Sequence, residues 1–351
     1  MSLRLKHLRD QIIVITGASS GIGLVTARMA AKRGARLVLA ARSQDALMQL
    51  EQELSDRYRT VVAVVADVGR PEDVQRVSRV ARQRFGGFDT WINNAGVSIY
   101  GRLLDQPIED MRRLFDTNFW GVVYGSLEAA RHFQSRGEAG AIINIGSAFS
   151  DRAMPLQGMY SASKHAVKGF TDALRMELER QGLPVAVTLV KPSAIATPYP
   201  QHAKNFLEEE PTNPPPIYAP ELVAKTILHC AEHPERDMFV GAAGKVMSVM
   251  GKYAPRLGDF VTERLFAGRQ RTGRPPRPCE QHGLSHPSGR LRERGRYRNH
   301  IFETSLYTQG ALHPVLAGAA LVGTGLVISA LYQSSQERHA GGQAERHHTM
   351  S

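Results

Sequence analysis

From Gln11 to about residue 240 the chain alternates between short β-branched runs and segments of helical spacing. Strand-like runs are QIIVIT at 11–16, RLVLA at 36–40, TVVAVVA at 60–66, 88–93, AIINIG at 141–146, 185–190 and 238–240. Between them, helical spacing covers 22–33, 46–59, 71–85, most of 107–131, 158–181 and a stretch ending near 232. Gly34 and Gly182 sit where helices should stop, and Pro71 where one should start. The strands are almost wholly apolar, as expected of a sheet covered by helices on both faces. Strictly alternating β and α elements imply a parallel, doubly wound, Rossmann-like sheet. No internal repeat is present, so residues 8–266 are read as one α/β domain.

Beyond that domain the composition changes. Residues 267–300 hold nine Arg and no Lys against Glu280 and Glu293, which concentrates +7 of the net charge of +11 in one stretch. The rest of the chain is only mildly basic, so a nucleic-acid surface is not expected. Pro, Gly and Arg dominate the stretch, and it is expected to be a disordered linker. Cys230 and Cys279 form no CxxC pair and read as unreactive thiols in a reducing compartment. The N-terminus, MSLRLKHLRDQIIVITGASS, reads as a first strand rather than a signal peptide.

Four motifs carry chemistry. TGASSGIG at 16–23 joins the first strand to the first helix. There Gly17 allows the sharp turn, and Gly21 and Gly23 allow close approach to a pyrophosphate and packing of helix on sheet. The helix N-terminus adds free N–H groups. The second strand ends in LVLAARSQ, with no acid to hold ribose hydroxyls. Arg42, with Ser43 beside it, offers donors for a 2′-phosphate, which favours NADP (NADPH) over NAD. NNAG at 93–96 reads by itself as a tight turn. YSASK at 160–164 places Tyr160 and Lys164 on one helix face, thirteen residues after Ser147. A neighbouring ammonium is expected to lower the phenol's pKa and fit Tyr160 for general acid–base work. No HExxH or paired cysteine ligands occur, so no metal site is expected.

Taken together, TGASSGIG, NNAG, Ser147 before YSASK, and Asn118 in FDTNFWG resemble the short-chain dehydrogenase/reductase family, in its compact single-domain branch. The resemblance covers roughly residues 8–245. It implies that Tyr160 exchanges the proton of the reacting oxygen and that Ser147 orients the substrate. Lys164 would hold the nicotinamide ribose and lower the tyrosine pKa, and Asn118 would hold a water linking Lys164 to solvent. Gly17, Ser19, Gly21, Ile22 and Gly23 would surround the cofactor phosphates. Asp67 would contact adenine, and Asn94, Ala95 and Gly96 would border the adenosine. In KPSAIATPY, Ile195 and Thr197 would face the carboxamide, while Ser193 replaces the family's usual glycine. Family members commonly form dimers or tetramers, so a homo-oligomer is expected.

Substrate should meet Val97–Tyr100, Ala148–Met159 and Pro192–Pro216. The middle stretch is apolar through Ala148, Phe149, Met154, Leu156 and Met159, which suits an apolar alcohol, ketone or aldehyde. Near the end, residues 311–333 include VLAGAALVGTGLVISALY at 315–332, eighteen residues without a charge. As a helix this run is about 27 Å long, just enough for a hydrocarbon core of about 30 Å. With Arg290–Arg298 upstream, it is expected to anchor the chain in a membrane with the catalytic domain on the cytoplasmic side. The alternative is a helix packed on the fold or between subunits. The sequence therefore reads as an NADP(H)-preferring oxidoreductase. Two other classes compete: a cofactor-binding sensor or scaffold without turnover, and a lipid- or polyanion-binding protein using the Arg-rich stretch.

Overall fold

The computed structural model describes residues 3–58, 60–276, 282–287, 289–315, 317 and 318. The first half runs β1 (Ile12–Thr16), α1 (Gly21–Lys32), β2 (Arg36–Ala41), α2 (Gln44–Tyr58), β3 (Val61–Val65), α3 (Pro71–Phe85), β4 (Thr90–Asn93), β5 (Ile99–Tyr100), α4 (Ile108–Phe115) and α5 (Gly121–Arg136). It continues with β6 (Gly140–Ile145), α6 (Gly158–Arg180), β7 (Val185–Pro192), β8 (Ala194–Ile195), α7 (Tyr199–His202), β9 (Lys204–Asn205), β10 (Ile217–Tyr218), α8 (Pro220–Glu232) and β11 (Asp237–Val240). Then come α9 (Ala242–Tyr253), α10 (Pro255–Val261) and β12 (Ile301–Phe302). The chain divides at Ser305, and α11 (Leu306–Leu312) belongs to the second unit.

Seven parallel strands form the central sheet in the order β3-β2-β1-β4-β6-β7-β11. The β-branched runs became strands because both faces are buried. Ile12 and Val14 join Trp91, Ile142 and Val187 in a core closed by Val77, Phe133 and Leu174 of α3, α5 and α6. By the two-residue period Ile13 and Ile15, fully buried, face the other side, where α1 packs on α8. The strand order reverses direction at β1, between β2 and β4. Such a switch point leaves a crevice at the carboxyl ends of the strands. The expected doubly wound fold is the one observed.

The helical stretch expected over 107–131 is interrupted. Asp116–Trp120 form a π turn between α4 and α5, with Asn118 inside it. Asn93, read as a turn residue, is instead a core tie. Its Nδ2 donates to Asn144 Oδ1 at 2.9 Å and to Ser126 Oγ at 3.0 Å, and its Oδ1 accepts from Trp91 Nε1 at 2.8 Å. Such a network binds β4, α5 and β6 without leaving a polar atom orphaned.

One expectation is overturned. The described parts of 267–300 are not a disordered linker but lie on the domain, and the chain then adds β12 to β10 through Ile217↔Ile301. Composition misjudged it because the segment is held by backbone hydrogen bonds, ion pairs and a few anchors such as Leu284, not by a broad apolar face. Among the described residues no helix is long and apolar enough to cross a membrane. The run at 315–332, expected as an anchor, lies almost wholly outside the described residues, as does Cys279.

Candidate functional site

The site forms at the crevice above β1, β4, β6 and β7. The turn after β1 needs glycine at two places. Gly17 has φ +67°, and a Cβ there would lie 2.8 Å from Ala95 Cα. Gly23 packs behind the turn, where a Cβ would lie 2.2 Å from Gly17 O. Asn94 fastens the turn to the end of β4, donating from Nδ2 to Thr16 O at 2.9 Å and to Gly17 O at 3.2 Å. A groove runs from this turn past Ser19, Gly21, Ile22, Arg42, Asp67 and Asn94. It is continuous with a second hollow through the shared walls Ile22, Asn94, Gly96, Thr197 and Tyr199. That second hollow contains Ser147, Tyr160 and Lys164 together with Ile195.

Lys164 is buried and donates from Nζ to Ile145 O at 2.7 Å. Burial lowers its pKa to about 8. Its ammonium nitrogen stands 5.7 Å from the centroid of the Tyr160 ring. Burial raises the phenol's pKa, while hydrogen bonds to Ser147 and Tyr199 act against that rise. The expected depression of Tyr160 by Lys164 is thus not what the geometry gives. Desolvation disfavours both charged forms. Ser147 follows β6 as an N-cap, its Oγ accepting from Phe149 N at 3.1 Å.

Asn118 is fully buried. Its Oδ1 accepts from Val97 N at 2.8 Å, and its Nδ2 donates to Val97 O at 2.9 Å and Ser163 Oγ at 3.1 Å. A Cβ on Gly96 would lie 3.5 Å from Asn118 Oδ1 and 4.0 Å from Lys164 Nζ, so all three meet at one wall. Asp67 pairs with Arg113 and accepts from Gly69 N at 3.0 Å. Arg42 donates to the carbonyls of Gly283 and Leu284. Ser193, replacing the expected glycine, has a defined task. Its Oγ donates to Gly241 O at 3.1 Å and accepts from Gly244 N at 3.0 Å, fixing the start of α9.

Sequence reasoning missed several wall residues. Ala243, Gly244 and Met247 of α9, with Phe266, line the hollow beside Tyr160. Their stretch was read only as the end of the fold. Tyr199 falls within the expected lining Pro192–Pro216, but its place beside Tyr160 is not legible from KPSAIATPY. Its ring meets Tyr160 edge-on at 5.3 Å, and its hydroxyl bonds Ser98 Oγ at 2.7 Å and Gln157 Oε1 at 2.9 Å. Conversely, Leu156 and Met159, expected as substrate liners, do not line this hollow. Met159 packs with Ile99, Leu114 and Leu284 instead.

Comparison with known proteins agrees with this geometry. The family model for short chain dehydrogenases matches residues 11–207. The chain belongs to the short-chain dehydrogenase/reductase family. It is 46% identical over 322 residues to the uncharacterized oxidoreductase YxnA of Bacillus subtilis (strain 168), covering 92% of this chain and 90% of that one. A family structure from Burkholderia phymatum in complex with NAD is 25% identical with a TM-score of 0.64, covering 73% of this chain and 96% of the other. A Sphingobium yanoikuyae enzyme in complex with NADPH is 29% identical with a TM-score of 0.59, covering 71% and 95%. The chain is therefore a short-chain oxidoreductase that uses a nicotinamide dinucleotide. The groove fits that group. A glycine turn at a helix N-terminus faces it, Arg42 stands at one end, and Tyr160 with Lys164 stands at the other.

Proposed function

We propose that this chain interconverts an apolar secondary alcohol and a ketone, or aldehyde, with NADP(H) preferred. The observation that carries the reading is the hollow itself. Ser147, Tyr160 and Lys164 are its polar groups on one side, among Phe149, Met154, Ile195, Met247 and Phe266. An apolar pocket with a few convergent polar groups suits an apolar substrate with one reactive oxygen. The bound nicotinamide supplies or accepts the hydride. Tyr160 donates the proton to the carbonyl oxygen, or takes it from the alcohol in the reverse direction. Its raised pKa keeps the phenol protonated near neutral pH, ready to donate. Ser147 holds the same oxygen in line, Lys164 holds the ribose hydroxyls, and Tyr199 orients the Tyr160 hydroxyl. The preference for NADP rests on Arg42 and on the lack of an acid at the end of β2.

A panel of apolar ketones and alcohols, run with NADPH and NADH, tests this. Turnover of apolar carbonyls with NADPH ahead of NADH is expected. Binding of dinucleotide without turnover across the panel would favour the sensor or scaffold class instead. Binding to anionic vesicles with no turnover across the panel would favour the lipid- or polyanion-binding class instead.

The reading includes attachment to a membrane, which rests on the sequence of 315–332. One observation favours a lipid-facing mouth: α9 and α10 expose Val246, Val249, Tyr253, Leu257 and Phe260 next to the hollow lined by Met247. Carbonate extraction of cell membranes decides the tether, since full release into the soluble fraction contradicts a spanning helix.

A further inference from the structure

The family match ends at residue 207, yet chain far beyond it returns to the cofactor groove. Gly283 and Pro287 line that groove together with Gly17, Arg42, Asp67 and Asn94. The segment therefore lines the groove and also places carbonyl oxygens on the Gly21 N–H and the Arg42 guanidinium. Its anchors run from Arg42 and the glycine turn to the loop bearing Thr197. Gly283 N donates to His202 O at 2.6 Å, and Leu284 is fully buried among Ile99, Leu114 and Phe206. The carbonyls of Gly283 and Leu284 accept from Arg42. Arg292 forms a parallel bridge with Ser20, and its carbonyl accepts from Gly21 N at 2.8 Å. Glu293 pairs with Arg28 of α1 at 2.6 Å. Gly295 N donates to Ala196 O at 3.0 Å, and the Tyr297 hydroxyl donates to Thr197 O at 2.8 Å.

We propose that residues 282–287 and 289–297 form the outer wall of the dinucleotide site, enclose the bound dinucleotide, and set its rate of release. This rests on the nicotinamide-dinucleotide reading of the groove. The physical argument is one of linked contacts. The N–H of Gly21 and the guanidinium of Arg42 are donors suited to phosphate oxygens, and both already meet carbonyl oxygens of the wall. Seating a phosphate at either point shifts those carbonyls, while Leu284, Glu293 and Tyr297 hold the segment in place. A dinucleotide beneath the wall leaves only when several backbone bonds open together, so opening limits release. Tyr297 also ties the wall to the loop that bears Ile195 and Thr197, so nicotinamide and adenosine ends open as one.

The test uses the full chain. Bound NADPH is displaced by excess NADP, and its fluorescence is followed by stopped flow. Leu284→Asp puts a carboxylate in the buried anchor. Glu293→Arg sets a second cation against Arg28 at a partly exposed site, which leaves the core untouched. Release is expected to be about tenfold faster in Leu284→Asp and several-fold faster in Glu293→Arg, since a factor of ten needs only about 1.4 kcal/mol. In hydrogen exchange, the amides of Gly21, Gly283 and Gly295 should be protected with NADPH in the parent chain and lose protection in both variants. Release rates equal to the parent's in both variants, with NADPH bound, overturn the wall and leave the dinucleotide reading standing. If the parent chain binds neither NADPH nor NADH, the dinucleotide reading fails and the wall with it.

Discussion

Two regions converge on the same groove by opposite means. The turn at 16–23 is a short motif whose glycines are demanded by contacts within a few ångströms, such as Gly17 against Ala95. The stretches at 282–287 and 289–297 have no motif, and their composition argues for disorder, yet they reach Gly21, Arg28, Arg42 and Thr197. The first is encoded by what side chains must be absent. The second is encoded by backbone carbonyls that any residue supplies, steadied by two or three specific anchors. Hydrophobic content measures only one way of ordering a chain, and a segment laid on a finished fold needs little of it.

The largest way to break the turn is Gly17→Val. A Cβ 2.8 Å from Ala95 Cα, at φ +67°, cannot be relieved by rotating a side chain. A loss of about 3 kcal/mol in urea unfolding, together with loss of NADPH binding, is expected. Next comes Lys164, which links the turn's groove to the chemistry. Its pKa in the fold, about 8, lies below the ordinary 10.5. Between those values the unfolded chain binds more protons, so stability rises with pH across that window and the penalty is complete below it. Its full size is roughly 3 kcal/mol. Lys164→Met should therefore unfold with a flatter pH dependence than the parent from about pH 8 to about pH 10.5. An unchanged slope would show that the lysine is not desolvated.

Arg42 is where the two regions meet. Arg42→Ala should weaken NADPH about ten- to a hundredfold more than NADH, the expected loss of charge-assisted bonds to a phosphate. Equal losses for both dinucleotides in isothermal titration would mean that Arg42 serves the wall and not the 2′-phosphate. The smallest effect is expected at Tyr297→Phe. Losing the hydroxyl, which donates to Thr197 O and Ile195 O and accepts from Asn213 Nδ2, should cost about 1–2 kcal/mol in thermal unfolding.

The sheet was readable because both-face burial leaves an unbroken apolar signature, as in Ile12–Thr16 and Gly140–Ile145. The cofactor turn and the Ser147–Tyr160–Lys164 set were readable as motifs, and the structure places them in two adjoining hollows that share Ile22, Asn94 and Gly96. The walls supplied by α9 and Phe266 were not, since a residue's place in a cavity depends on how distant elements pack. The direction of the Tyr160 shift was not readable either. Spacing of four residues shows that a lysine is near, but the balance between attraction and desolvation is set by burial, which no local pattern reports.

The central claim is that Tyr160 moves the proton of the reacting oxygen in a nicotinamide-dependent oxidoreductase. Comparing Tyr160→Phe with the parent chain, by single-turnover NADPH oxidation on an apolar carbonyl, tests it most directly. The account predicts a fall in rate on the order of 10²–10⁴-fold with NADPH affinity retained. A variant that oxidises NADPH at the parent's rate would contradict it.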